Sequence, residues 1–391
     1  MLYQLSYTPA VRRPLPPCEK KGKTILHGLD RPSDGRQRSP YGTGESSVGR
    51  VSVVKMMAAV AVLALAAAPG GAIAADAVAV PELGANLERF TYPWPVQTMT
   101  FDVVGQPATM AFMDIAPPRP NGRSVVLLHG KNFCGATWES SARALSNAGY
   151  RVLIPDQIGF CKSAKPRSAQ YSFEMLASFT RRLMESRGIT RAAIVGHSFG
   201  GMLAMRLAIL YPDSVERLVL VNPLGLKDRS EEGLPYVDVD TLWAGERKAS
   251  YASIKAYQQQ NYYHGTWKPA YDRWVWMLAG MYQGAGRDAV ALAQAKTSEM
   301  IKTQPVAHEL YRVKPPTTLL IGTLDRTAFG RAQTPPNLRQ FLEAIPVVAR
   351  KAVTQMPNAT LVPLDGLGHS PQVEDPARFE KALLGALTAR R

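Results

Sequence analysis

The run Ala192-Ala193-Ile194-Val195-Gly196-His197-Ser198-Phe199-Gly200-Gly201 constrains this chain more than any other stretch. Its opening apolar residues predict a short strand buried on both faces, as in a parallel sheet. Gly196 and Gly200 bracket Ser198 in a GxSxG pattern. That pattern implies a turn so tight that a side chain at either glycine would strike the neighbouring strand or helix. The turn lifts the serine hydroxyl above the sheet. A helix opening at Phe199 directs its unpaired N–H groups and positive dipole end towards it. Positive potential there favours an oxyanion, the charge that acyl transfer develops. The plainer alternative is a serine that only caps the helix.

The surrounding pattern supports the first reading. Residues 98–104 and 108–115 predict two strands joined by a three-residue loop at 105–107. Apolar runs at 124–130, 151–156, 192–195, 215–222, 317–322 and 360–364 alternate with helical stretches, several closed by Gly or Pro. Such alternation predicts an α/β fold, a parallel sheet doubly wound by helices on both faces. Ligands in such sheets bind at the carboxyl ends of the strands. Those ends carry His129-Gly130, the loop at Asp156, Ser198 and Asn222. Between residues 224 and 315 the alternation stops, and a helical insertion dense in Trp and Tyr takes over. Most of those rings are expected to form the insertion's own core, with a few facing a pocket above the serine.

The first 55 residues differ in kind, being rich in Pro, Gly and basic residues without apolar period, a disordered composition. Lys55-Met56-Met57, an alanine- and leucine-rich run, Pro69-Gly70-Gly71 and Ala72-Ile73-Ala74 then read as a secretory signal peptide over 56–75. The run is shorter than the ~20 residues of a membrane span, so no stable span is expected after cleavage. A retained anchor is the alternative. Residues 1–55 then read as an over-extended start, and peptides from 12–50 in the native product would sink that idea. The organisation expected is an N-terminal segment at 76–97, a core of 98–223 and 316–391, and the cap of 224–315. The formal charge of +15 comes without basic-aromatic clusters, so it is read as surface chemistry and not as a nucleic-acid site.

A serine at neutral pH needs a base within hydrogen-bond reach, and the base needs a carboxylate to fix its tautomer. His197 is expected to point away from Ser198, and His129 to shape its loop, while His264 and His308 lie in the insertion. His369 follows the last strand in a glycine-flanked loop, and Asp325 lies just beyond an earlier strand end.

In order, HGKNFCG at 129–135, DQIGFCKS at 156–163, GHSFGG at 196–201, GTLD at 322–325 and GHSPQVEDP at 368–376 resemble the capped α/β-hydrolases. The resemblance covers residues 101–387 and implies an eight-stranded sheet with a helical cap inserted after strand 6. It implies Ser198 as nucleophile, His369 as base and Asp325 as acid, the chain order this fold requires. The oxyanion hole would use the backbone N–H groups of Phe199 and Lys131, with Asn132 as the fallback for the second. No cofactor or metal is implied. The expected reaction is hydrolysis of small carboxylic esters with an apolar acyl or aryl group through an acyl-enzyme. Carbon–carbon hydrolysis or amide cleavage by the same triad is the alternative, and a non-catalytic binding protein on this fold a third. Haloalkane dehalogenases and epoxide hydrolases resemble the Asp156 loop but use aspartate where this chain has Ser198. Carbon–carbon hydrolases usually have a more glycine-rich loop after His-Gly. The stretch from Asp325 to His369 is longer than usual, which predicts an extra wall. Cys134 and Cys161 follow neighbouring strands onto the active face, so export predicts a disulfide between them. Two separate buried thiols are the alternative.

Overall fold

The structure is a computed structural model that describes residues 79–389. The expected extension and signal peptide therefore lie outside the described residues. Eight strands make one sheet: β1 (Gln97–Val103), β2 (Gln106–Ile115), β3 (Ser124–Leu128), β4 (Arg151–Pro155), β5 (Ala192–His197), β6 (Val215–Val221), β7 (Thr317–Gly322) and β8 (Ala359–Leu364). Their order is β1-β2-β4-β3-β5-β6-β7-β8. β2 runs antiparallel to β1 and β4, and every pairing from β4 to β8 is parallel. The sheet is thus mostly parallel, as the alternation requires.

The β1–β2 hairpin corrects the expected loop. Val103 pairs with Gln106, so two residues turn the chain, not three. Val104 and Gly105 have φ of 54° and 70°, and two successive positive φ values are what a two-residue hairpin turn demands.

Ten helices complete the described fold: α1 (Glu139–Asn147), α2 (Phe173–Ser186), α3 (Phe199–Leu210), α4 (Val239–Glu246), α5 (Tyr251–Asn261), α6 (Asp272–Met281), α7 (Arg287–Thr303), α8 (Ile345–Ala352), α9 (Pro371–Glu374) and α10 (Pro376–Thr388). The strands alternate their side chains between two cores. Val125, Leu127, Val195 and Val219 meet Leu145 of α1 and Phe379 and Leu383 of α10. Val126, Leu128, Ile194 and Leu218 meet Leu176 of α2, Leu203 of α3 and Val348 of α8. Each such Val or Leu contributes ~1.5–3 kcal/mol by leaving water. Helix α3 is buried nearly all round, so the element that follows the serine cannot shift without moving the core it packs in.

Helices α4–α7 lie between β6 and β7, in the insertion. Its rings largely pack on one another: Tyr263 stacks on Tyr271 at 3.9 Å, and Trp267 meets Tyr271 edge-on. The N-terminal segment is fastened to this layer, with Leu83 N–H donating to the Gly280 carbonyl of α6. It is fastened to the core as well: the Lys165 ammonium donates to Asn86 and to the carbonyls of Cys161 and Ser163. Among the described residues no helix is long and apolar enough to cross a membrane.

Candidate active site

Ser198 sits between β5 and α3 with φ 55° and ψ −116°, a left-handed strain typical of a serine raised on a sharp turn. The glycines around it are sterically required. A Cβ on Gly196 would lie 2.2 Å from the Gly200 carbonyl oxygen, and one on Gly200 would lie 2.3 Å from that of Leu128. Both obstacles are backbone, so neither can yield.

The Ser198 hydroxyl lies 2.9 Å from His369 Nε2, and His369 Nδ1 lies 2.7 Å from Asp325 Oδ2. A carboxylate only accepts, so the imidazole proton belongs on Nδ1 and Nε2 is free to take the serine proton. The three side chains come from three loops at the carboxyl ends of β5, β7 and β8, and all are buried. Sequence reasoning placed Asn222 at a strand end without a role. In the structure its amide donates to Asp325 Oδ2 at 2.7 Å, and its carbonyl accepts the Gly322 N–H at 3.2 Å. With the Thr327 N–H on Oδ1, this fixes the carboxylate, Asn222 sharing with His369 the oxygen Oδ2. An Asn directly after an apolar strand run was the available signal, and the structure shows it buried with a positive φ.

The His129-Gly130 turn closes over the serine. A Cβ on Gly130 would come 2.7 Å from His197 Nδ1 and 3.4 Å from Ser198 Cβ, so only glycine lets the next peptide approach. The backbone N–H groups of Lys131 and Phe199 meet no acceptor among the described residues, as an oxyanion hole requires of its donors. The Lys131 ammonium turns away to pair with Glu246 of α4 at 2.9 Å, and Glu246 also accepts from Tyr282. Asn132 donates its amide to the Tyr262 hydroxyl at 2.9 Å.

The other histidines serve as supports. His197 Nε2 meets the His369 carbonyl oxygen at 2.8 Å. Burial and the neighbouring His369 hold its pKa well below the usual range, so it stays neutral beneath the turn. His129 Nε2 accepts the Gln157 N–H, and burial lowers its pKa too. His264 pairs with Glu374 at 3.3 Å and His308 with Asp228 at 3.0 Å.

Glu374, quoted in the last motif but given no role, is a buried carboxyl that accepts the Gly368 N–H with both oxygens. Burial pushes its pKa up to about 7, against the backbone hydrogen bonds that lower it. A raised carboxyl pKa stabilises the fold fully below the unfolded value near 4.5, and that contribution is lost as pH climbs through about 7. Glu374→Gln mimics the neutral acid. Its Tm relative to wild type should therefore rise between pH 5 and pH 8; a constant difference in thermal melts would refute this.

Around the site, Asp156 joins two loops: Oδ1 accepts the Gly135 N–H at 2.7 Å, while Oδ2 accepts the Lys162 N–H and the Tyr92 hydroxyl. The same loops are joined by a Cys134–Cys161 disulfide, the pairing expected of an exported chain. Among the described residues no three His, Cys, Asp or Glu side chains gather as a metal site.

A cavity of about 730 Å³ opens beside the Lys131-Asn132 turn. Insertion residues Tyr257, Leu278 and Tyr282 line it, as does the stretch 328–333 after Asp325, the extra wall that its length suggested.

Residues 123–376 match the family described as alpha/beta hydrolase fold. A crystal structure of a "probable hydrolytic enzyme" from Pseudomonas aeruginosa PAO1 is 49% identical, with a TM-score of 0.78 over 79% of this chain and 99% of that one. An uncharacterised protein of Mycobacterium tuberculosis is 30% identical over 66% of this chain and 73% of its own length. The 2-hydroxy-6-oxo-6-phenylhexa-2,4-dienoate hydrolase of Comamonas testosteroni is 31% identical over 137 residues, 34% of this chain and 48% of that protein. The chain thus spans about half the length of that curated relative. The buried sheet, the serine turn and these matches together make the chain a member of the alpha/beta hydrolase family and a hydrolytic enzyme.

Proposed function

We propose that this chain is an exported serine hydrolase that cleaves small carboxylic esters whose acyl or aryl part is largely apolar. The observation that carries the reading is the hydrogen-bonded series Ser198–His369–Asp325 beside a roofed cavity. Ser198 Oγ attacks the ester carbonyl carbon as His369 Nε2 takes its proton. Charge collects on the carbonyl oxygen, where the Phe199 and Lys131 N–H groups receive it; each such donor contributes ~2.7–4 kcal/mol to lowering the barrier. The C–O bond to the alcohol breaks as His369 returns the proton to the leaving oxygen. Water, deprotonated by His369, then attacks the acyl-enzyme, and Ser198 leaves with the proton. Asp325 stabilises the imidazolium in both halves. The cavity suits a small-molecule acyl or alcohol group, since pockets of ~300–1,000 Å³ enclose ligands of that size. The buried disulfide supports export, because such bridges persist in oxidising compartments.

Similarity to a dienoate hydrolase favours carbon–carbon cleavage by the same residues as a second reading. Hydrolysis of p-nitrophenyl esters of increasing acyl length by residues 76–391 separates the two. Turnover that disappears in Ser198→Ala supports the ester reading, and a folded enzyme inert to every ester but active on a vinylogous diketone acid supports the other.

A further inference from the structure

The cavity and the serine do not meet directly. Lys131 and Asn132 stand in the cavity wall, whereas Ser198 and His369 do not, and Ser198 is only 4% exposed. One side-chain pair stands at this boundary, the Asn132 amide donating to the Tyr262 hydroxyl. The Tyr262 ring lies 4.8 Å from that of His369 and 5.7 Å from that of Phe133. The Tyr262 carbonyl accepts the His369 N–H at 2.8 Å. Tyr262 is therefore held by its backbone while its ring covers the base and its hydroxyl closes against Asn132.

A substrate that reaches Ser198 past Asn132, the cavity residue bonded to the ring over His369, parts this pair. Doing so takes from the buried Tyr262 hydroxyl its partner, the amide of the half-buried Asn132, and a polar group left unpaired in a buried place is costly. A hydrocarbon acyl chain offers them nothing. An acyl chain with an oxygen close to the carbonyl accepts from Asn132 Nδ2, and a hydroxyl there also donates to the Tyr262 oxygen. Sites built around such partners discriminate strongly against analogues that lack the oxygen.

We propose that Asn132 and Tyr262 determine specificity, favouring esters whose acyl group carries a hydroxyl, keto or ether oxygen one or two carbons from the scissile carbonyl. This rests on Ser198 being the nucleophile of an ester hydrolase. It narrows the substrate class from apolar acyl groups to apolar groups with one oxygen beside the reacting carbon.

The test compares kcat/KM for p-nitrophenyl butyrate and p-nitrophenyl 3-hydroxybutyrate, matched in chain length, in wild type, Asn132→Ala and Tyr262→Phe. Wild type should favour the hydroxylated ester about tenfold. In both variants the ratio should fall towards one, chiefly because butyrate improves. Tyr262→Phe keeps the ring over His369, so it reports on the hydroxyl alone even if Asn132→Ala folds poorly. Equal rates on the two esters in wild type, or a preference that survives in both folded variants, overturns the proposal while leaving the ester reading intact. No turnover of either ester overturns both.

Discussion

Ser198→Ala is expected to lower kcat for ester hydrolysis about a millionfold, to the rate that binding and the oxyanion donors sustain alone. His369→Ala should cost as much, and the double variant no more, because nucleophile and base act as one unit. Asp325→Asn should cost ~10⁴-fold. An amide at that position can present its N–H to His369 Nδ1, which drives the imidazole proton to Nε2 and removes the acceptor that faces the serine at 2.9 Å. Asn222, which donates to the same carboxylate oxygen, would favour the amide's carbonyl there. Asn222→Ala should therefore partly separate orientation from charge. Active-site titration with a fluorophosphonate should label wild type and neither Ser198→Ala nor His369→Ala at a measurable rate. Residual turnover within a hundredfold of wild type in a purified Ser198→Ala would rule out the serine as nucleophile.

Asp156→Ala is expected to destabilise the fold by about 3–5 kcal/mol. The carboxylate is 1% exposed and satisfies three donors from three segments: Gly135, Lys162 and Tyr92. Alanine leaves the buried Gly135 N–H without a partner and takes the acceptor from the half-buried Lys162 N–H and Tyr92 hydroxyl. Burial, the larger cause, and the Asp156 charge raise the Tyr92 pKa well above its usual value, and only the first remains in the variant. A Tm lowered on the order of 10 °C should follow, with activity impaired further because Gly135 lies close to the turn that carries Lys131. The Cys134–Cys161 bridge spans the same loops, so reduction of the bridge should destabilise the variant more than wild type. A Tm within 2 °C of wild type by calorimetry would show that the carboxylate is dispensable.

Much of this was legible in the sequence because local constraints and fold constraints coincide there. Gly196 and Gly200 announce a turn that backbone sterics enforce, and the apolar runs announce strands whose two faces are both buried. Ser198, His369 and Asp325 stand at strand ends, so the sheet brings together residues up to 171 positions apart. What stayed illegible depends on side-chain direction. Tyr262 is one aromatic among twelve in the insertion, and nothing in its sequence neighbours separates it from Tyr263, which packs on Tyr271 and Trp267. Glu374 resembles any first-turn acid until burial and Gly368 are known. The hairpin was misjudged because Val104 tolerates a positive φ that a branched side chain rarely adopts.

The insertion is attached to the rest of the molecule at separate places. Leu83 of the N-terminal segment binds Gly280, Lys131 binds Glu246, and His264 and the Tyr262 carbonyl both reach the His369 loop. A layer fastened at separate places is a ceiling tied to the core, the N-terminal segment and the base's loop. The base and its ceiling share a peptide hydrogen bond, so disturbance of the roof reaches His369 within one residue.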